Sequence, residues 1–502
     1  MVKTDKESGV DRGGSIWTIT RGASLFILGN IVSKVLLFVL NLILTRTLGA
    51  TLYGIYAYAN TIIGVVFIIV RMGAGESLHR FIPKYSNDPQ RQKWIVALAY
   101  GTGLISSTVI AAGLFILAPA ISKLTLDDPL LRDVMRILAV ALPFMSVIYI
   151  TNSVFRSLEK LEYQVAISNI LKPVIKLLTV LAAVALGFSL LGIVAALLAG
   201  TVVLSIIAIL FLYTMTDVHP TGTLSSGDYK EFYNFSIPMM LKDVGSNLYN
   251  RVDILMVGFF LTGSAVGIYR VSWIIASALL FPLAGINQLF PPIASKLYTN
   301  GNISELESVY SIVTRWIFTL VLFPSLVVLI YRNEILGMFG SQFPEGSLVL
   351  VFFTIAQLAN SISGPCGKLL AMTDNQYLNV LNQWILGVSN IVLNYILIIN
   401  FGIIGAGLAT ATVLASVNII RMIEVWYIED LFPYSWKFAK PLAAGLSSIL
   451  VMLGLRVLLS GFQLMFVGAV IGGLTYLSML YLFGFEDTDA KFYRNNIKGE
   501  YL

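Results

Sequence analysis

One cysteine and two histidines are all that 502 residues offer for thiol or imidazole chemistry. The lone Cys366 excludes an internal disulfide and reads as a packing residue in an apolar run. His79 and His219 stand far apart, so no metal-ligand spacing exists and no metal or other cofactor is expected. Charge is scarce as well. Asp, Glu, Lys and Arg make up 12% of the chain, against about a quarter in soluble domains. The formal charge of +6 is not gathered into a dense basic patch outside the apolar runs, which excludes nucleic acid as a partner. No glycine loop with a following lysine is present, nor a nucleophile elbow, nor a metal motif. Nor is any polar segment long enough for a soluble catalytic domain. The chain reads as a non-enzyme.

What is present in excess is hydrocarbon. Apolar residues account for 57% of the chain, and the mean hydropathy is +0.83. A helix crosses a bilayer with about 20 mostly apolar residues. Runs of that kind recur along the chain, and a soluble core could not cover them. The fold class is therefore an all-α polytopic membrane protein with about 14 transmembrane helices. The first apolar run leads straight into further spans and is read as retained, not cleaved. Basic residues set the orientation. With the N-terminus inside, eighteen fall on cytoplasmic segments and six on the outer side, so both termini are cytoplasmic in the cell (plasma or inner) membrane.

A repeat organises these spans. "RTLGATLYGIYAY" (Arg46 to Tyr58) and "LTGSAVGIYRVSW" (Leu261 to Trp273) share a Gly-Ile-Tyr triplet, and Gly54 and Gly267 differ by 213. Gly192 and Gly405 repeat the offset of 213, and Tyr163 and Tyr377 lie 214 apart. Each pair falls in equivalent connections, which indicates duplication of a six-span unit. Six is even, so the copies are parallel. The expected organisation is a cytoplasmic tail at 1–22, an N-lobe at 23–214, a linker at 215–233, a C-lobe at 234–428, a C-terminal helix pair at 429–485 and a tail at 486–502. The glycines of the first stretch, Gly49 and Gly54, read as permitting a tight extracellular turn between the first two spans, with Gly267 making the same turn in the second lobe and the tyrosines near the membrane interface.

Ionisable side chains inside spans are expensive and commonly face a cavity. In the first span Asn30, Ser33, Lys34 and Asn41 share one helical face, and in the seventh Asp243, Asn247, Asn250 and Asp253 do the same. Adding 213 carries Asn30 onto Asp243 and Lys34 onto Asn247. Two such stripes would line a wet cavity, although Ser and Asn also serve interhelical hydrogen bonds. Further candidates are Arg71 and Glu76 in the second span, Lys172 and Lys176 in the fifth, and Lys242 and Arg251 in the seventh. Lys172 and Lys176 are i,i+4 and so share a face, an unfavourable arrangement unless an anion or a carboxylate sits between them. Cations outnumber carboxylates in this set, which suits an anionic substrate. Glu76, Asp243 and Asp253 are the candidates for coupling to H+ or Na+.

The passage "SKVLLFVLNLILTRTLGATLYGIYAYANT" resembles polysaccharide-export flippases of the Wzx type, in the superfamily of multidrug and toxin extruders (MATE) and lipid II flippases. "NRVDILMVGFFLTGSAVGIYRVSW" and "NYILIINFGIIGAGLATATV" are similar to the same superfamily. The resemblance implies a MATE-like fold of two parallel six-helix lobes plus two C-terminal helices, with alternating access through a central cationic cavity. It implies an isoprenoid-lipid-linked oligosaccharide as substrate, moved from the cytoplasmic to the outer leaflet, with membrane lipids and glycan-assembly enzymes as partners. The alternatives are a cation-coupled drug or metabolite extruder of the same fold, and a membrane-embedded glycan polymerase or ligase.

Overall fold

The computed structural model describes the backbone of residues 12–221, 226–249 and 251–484, and the side chains of residues 28–221, 229–244 and 251–484. Helices α1 (Arg12–Val70), α2 (Ala74–Lys84), α3 (Pro89–Leu124), α4 (Pro129–Val140), α5 (Leu142–Ser157), α6 (Leu161–Val165), α7 (Lys172–Ala185), α8 (Leu190–Met215) and α9 (Ser226–Tyr249) come first. They are followed by α10 (Val252–Phe260), α11 (Gly263–Ala278), α12 (Phe281–Thr299), α13 (Ile303–Ile330), α14 (Arg332–Gly337), α15 (Ser347–Ser363), α16 (Cys366–Met372), α17 (Gln376–Glu429), α18 (Ala439–Leu455) and α19 (Gly461–Leu482). No strand occurs among the described residues.

Local sequence explains many of the boundaries. Asp88-Pro89 and Asp128-Pro129 each open a helix. The aspartate side chain accepts a backbone N–H, from Arg91 at 3.0 Å and from Leu130 at 2.8 Å. The proline sits at the first helical position, where its missing N–H is no loss. A π-turn over Ala166–Leu171 runs directly into α7. Its cause is Pro173, which cannot donate to the carbonyl four residues back, at Asn169.

Nine described helices are long and apolar enough to cross a membrane, or eleven if each of two bent pairs counts as one span. Two of the nine each exceed a single crossing. Residues Leu28–Lys84 and Gln376–Glu429 would extend about 80 Å as straight helices, against a hydrocarbon core of about 30 Å. Each is broken by a glycine with positive φ, Gly49 at 71° and Gly402 at 57°. At Gly402 the chain turns back on itself. A Cβ on Gly405 would lie 1.9 Å from the carbonyl oxygen of Leu397.

The chain divides into two compact units, residues 1–48 with 55–251, and residues 49–54 with 252–502. In the first, Ala74, Leu78, Phe81, Trp94, Val154 and Phe232 share one buried cluster. The helix α9, whose residues from 234 onward open the C-lobe in the sequence reading, belongs to this cluster through Phe232. Tyr233 bonds Thr102 at 2.8 Å, and Lys84 pairs with Glu231 at 2.5 Å. In the second unit, α18 and α19 pack on α13 through Phe318, Leu322, Met452 and Tyr476. The outward faces are apolar. On the first arm of α17, Trp384, Val388, Ile391, Tyr395 and Ile399 are all exposed at helical spacing, which suits contact with lipid tails.

The turn expected in the first stretch is present, at Gly49, where α1 breaks. Gly54 lies in the helix beyond that break and Gly267 lies inside α11, so the expected turn at Gly267 is corrected. Tyr269 is buried at 1% exposure and Tyr56 faces an internal cavity, so neither settles at a lipid interface. Small size, not turn geometry, is what the triplet glycines contribute.

Candidate functional site

Within the first unit lies a cavity of about 380 Å³. Its wall draws on α1, α2, α4, α5, α7 and α8, together with Arg71 just after α1 and Gln164 and Ser168 around the π-turn. Four cations line it, Arg71, Arg156, Lys172 and Lys176, against one carboxylate, Glu76. None of the four cations forms an ion pair with a carboxylate among the described residues. The Arg71 guanidinium carbon stands 5.0 Å from the ring centre of Tyr149 and 5.9 Å from that of Phe67. This cation–π seating orients the planar group. It leaves Nε of Arg71 buried without a hydrogen-bond partner among the described residues. A buried donor without an acceptor is costly, so an oxygen-rich ligand would be stabilised there.

Other polar groups complete the wall. His79 is joined to Ser157 Oγ through Nδ1 at 2.8 Å. On α5 the residues Tyr149, Asn152, Ser153 and Arg156 follow one another at helical spacing, and all four line the cavity. Asn152 donates to the carbonyl of Ile148 at 2.8 Å, and its own amide oxygen has no partner among the described residues. Tyr56 and Phe67 bring aromatic faces and Asn60 a further amide. Aromatic faces, amides and guanidinium groups are the set that can replace the hydration of a sugar carrying an anion.

The structure sorts the sequence candidates. Arg71, Glu76, Lys172 and Lys176 come together on this one wall. The first-span stripe does not join them. Asn30 accepts from Asn169 in the π-turn at 3.0 Å, Asn41 donates to the Leu37 carbonyl at 2.6 Å, Ser33 is half-buried and Lys34 is exposed. Of the seventh-span set, Asp243 is half-buried and lies close enough to Tyr149 to act on it electrostatically, while Lys242 is exposed. Arg251 lies against Gly64, where a Cβ would stand 2.1 Å from Nη1. The side chains of Asn247 and Asn250 lie outside the described residues. Asp253 belongs to the second unit. It accepts the Tyr269 hydroxyl at 2.7 Å and the Ile254 N–H at 2.8 Å, and Tyr269 also meets Thr410 at 3.0 Å. Sequence reasoning passed over Tyr149, Asn152, Arg156 and His79. The polar stripe on α5 was the available signal. It was obscured because Arg156 was assigned to a cytoplasmic connection. Among the described residues no group of acidic, His or Cys side chains could hold a metal ion.

Residues 19–297, more than half of the chain, match the family described as polysaccharide biosynthesis protein. The chain belongs to that family. This polysaccharide biosynthesis family member is also similar to a probable low-salt glycan biosynthesis flippase, Agl15 of Haloferax volcanii. They are 28% identical over 261 residues, covering 51% of this chain and 54% of the relative. A probable flippase of the same organism, AglR, is 30% identical over 220 residues, with 40% and 44% covered. The chain spans about half the length of the curated relatives it matches. Among solved structures, the lipid II flippase MurJ in an inward closed conformation aligns with a TM-score of 0.70 at 16% identity, over 94% of this chain and 99% of that one. An inward-facing multidrug resistance transporter of the MATE family aligns at 0.64 with 14% identity, over 81% and 98%. These likenesses establish the fold, an all-α multi-pass membrane architecture of the MATE and MurJ type.

Proposed function

We propose that this chain is a flippase that carries an isoprenoid-lipid-linked oligosaccharide from the cytoplasmic to the outer leaflet by alternating access. One observation carries the reading: the cavity wall of Arg71, Arg156, Lys172 and Lys176 faces a single carboxylate, Glu76. The names of Agl15 and AglR as probable flippases support it. The physical task fits the wall. Sugar hydroxyls cannot cross about 30 Å of hydrocarbon without replacement hydrogen bonds. A polar cavity supplies them, while the lipid tail stays in the bilayer. Fourteen crossings with both termini cytoplasmic, lobes divided as read from the sequence, and glycan-assembly enzymes as neighbours belong to the same proposal.

Transport against a gradient needs coupling to the membrane potential or to an ion. One charge moved across 100 mV is worth about 2.3 kcal/mol. Asp253 is the carboxylate best placed to bind a proton or Na+ in the second unit, since the Tyr269 hydroxyl lies 2.7 Å from it and is itself met by Thr410. Glu76 and Asp243 are the corresponding groups of the first unit. A drug extruder is the competing reading, because multidrug export protein MepA of Staphylococcus aureus is 24% identical over 264 residues. A wall rich in unpaired cations repels cationic drugs, which favours the glycan reading.

The test is a leaflet-accessibility assay. Fluorescent lipid-linked oligosaccharide is placed in proteoliposomes, and quenching or enzymatic capture at the outer surface is followed. Translocation above protein-free vesicles is expected. A protein that moves only small organic cations, or that transfers sugar without moving lipid, sinks the proposal.

A further inference from the structure

The cationic wall is not uniform. Around Tyr149, positive and negative groups are mixed: Arg71, Glu76 and Asp243 all act on that hydroxyl electrostatically. At Lys176 the charged neighbour is Lys172, and no carboxylate among the described residues acts on it. The two ammonium groups make no hydrogen bond and no ion pair among the described residues. One turn apart on α7, they repel each other in the free protein. Lys172 is exposed and Lys176 half-buried, both on the cavity wall, and like charges sharing one wall are retained where a ligand supplies the opposite sign.

The backbone beside them is also specialised. The π-turn Ala166–Leu171 ends at Lys172 and inserts an extra residue per turn there. This re-aims the helix face that follows, and such turns recur at functional sites. The turn is held in place by α1. Asn169 donates to Asn30 Oδ1 at 3.0 Å, and a Cβ on Gly29 would lie 2.7 Å from Val165. Pro173 and Asn169 thus fix where Lys172 and Lys176 enter the cavity.

From this geometry we infer that Lys172 and Lys176 form a dedicated anion subsite in the N-terminal unit, and that ligands bind with a fixed polarity. The anionic group of the ligand lies on α7, and its neutral sugar hydroxyls lie toward Tyr149, Asn152 and the balanced charges of Arg71, Glu76 and Asp243. The anion is the phosphate of an isoprenoid carrier or the carboxylate of an acidic sugar. Both chemistries match two ammonium groups one turn apart, which together offer six N–H donors on two point charges. This inference rests on the flippase reading, and it assigns that cavity one end for charge and one for sugar.

The experiment measures protection and binding on the full chain in detergent or nanodiscs. Amine modification of Lys172 and Lys176 is followed by mass spectrometry with farnesyl diphosphate, an acidic galacturonate oligosaccharide, or neutral maltotriose as probe. Protection by farnesyl diphosphate alone assigns the subsite to the carrier. Protection by the galacturonate alone assigns it to an acidic sugar. Equal labelling under all three probes overturns the inference. The variant K172Q/K176Q is expected to weaken binding of the protecting probe by about tenfold or more, as loss of charge-assisted contacts does. K172R/K176R is expected to retain most of it. An unchanged affinity in the Gln variant likewise overturns the subsite. Because the labelling uses the native chain, a misfolded variant leaves the question answerable. Wild-type protein that flips lipid-linked glycan while showing no protection refutes the subsite alone. Protein that shows protection without flipping refutes the transport reading alone.

Discussion

Gly54 and Gly267, 213 residues apart in the chain, meet in space. A Cβ on Gly54 would lie 1.7 Å from the carbonyl oxygen of Gly263 and 2.8 Å from the Gly267 nitrogen. A Cβ on Gly267 would lie 2.2 Å from the carbonyl oxygen of Ala50. The crossing is reciprocal: each triplet glycine faces the backbone at the start of the other triplet's helix. Such distances leave no room for any side chain, and backbone atoms cannot rotate away as a side-chain tip can.

Gly54→Ala and Gly267→Ala should therefore each destabilise the protein by about 1–3 kcal/mol or more, through overpacking against backbone. Thermal melts in detergent measure this. Gly101→Ala is the control, because nothing stands within 4 Å of its Cβ position in α3. That change should be neutral or stabilising, since alanine favours a helix interior. Equal melting temperatures for all three variants would contradict the crossing.

Arg71→Gln should lower the flipping rate by about tenfold while the fold survives, since one charge-assisted contact is lost. Arg71→Lys should restore it only in part, because an ammonium lacks the planar fork that stacks on Tyr149. Initial rates in proteoliposomes, beside melting curves, separate the effect on transport from the effect on folding.

Asp253→Asn keeps a carbonyl oxygen for the Tyr269 hydroxyl and removes the charge. The fold should persist and the dependence of transport on a Na+ or proton gradient should disappear. Rates measured under imposed Na+ and pH gradients, separately, decide which ion matters. Gradient dependence that survives in the Asn variant removes Asp253 from any coupling role.

Tyr331→Phe should cost about 1 kcal/mol. The hydroxyl of this fully buried side chain donates to the Met452 carbonyl at 3.2 Å, joining the end of α13 to α18. Chemical unfolding, with intrinsic fluorescence as the readout, provides the measurement.

The hydrogen bond from Lys84 holds the Glu231 carboxyl below its ordinary range, and the Tyr85 hydroxyl adds to this. A carboxyl depressed on folding stabilises above its unfolded pKa and loses that contribution as pH falls through the folded value. Glu231→Gln should thus melt slightly lower than wild type at neutral pH, and the two should converge in acid. Both side chains are more than a third exposed, so the difference should be small and should shrink in high salt.

Much of this was legible along the chain. Hydropathy alone set the membrane class, because runs of this length leave no soluble alternative. Asp88-Pro89 and Asp128-Pro129 carry local capping chemistry that fits their helix starts, a signal the sequence reading left unused. The i,i+4 spacing of Lys172 and Lys176 placed both charges on one face, because helical periodicity does not depend on neighbours. The offset of 213 paired Gly54 with Gly267.

Tertiary structure decided the rest. Periodicity tells which residues share a face and not what that face meets. The first-span stripe of Asn30 and Lys34 and the α5 stripe of Tyr149, Asn152 and Arg156 look alike in sequence. Packing turned Asn30 to Asn169 in the π-turn and gathered the α5 stripe with Arg71 and Lys176 around one cavity. Nor could spacing reveal that Gly54 and Gly267 touch. The sequence by itself determined the kinds of side chain available and the helices that carry them. Their grouping into a charged cavity came from long-range packing, which brings together residues more than a hundred positions apart and has no local signature.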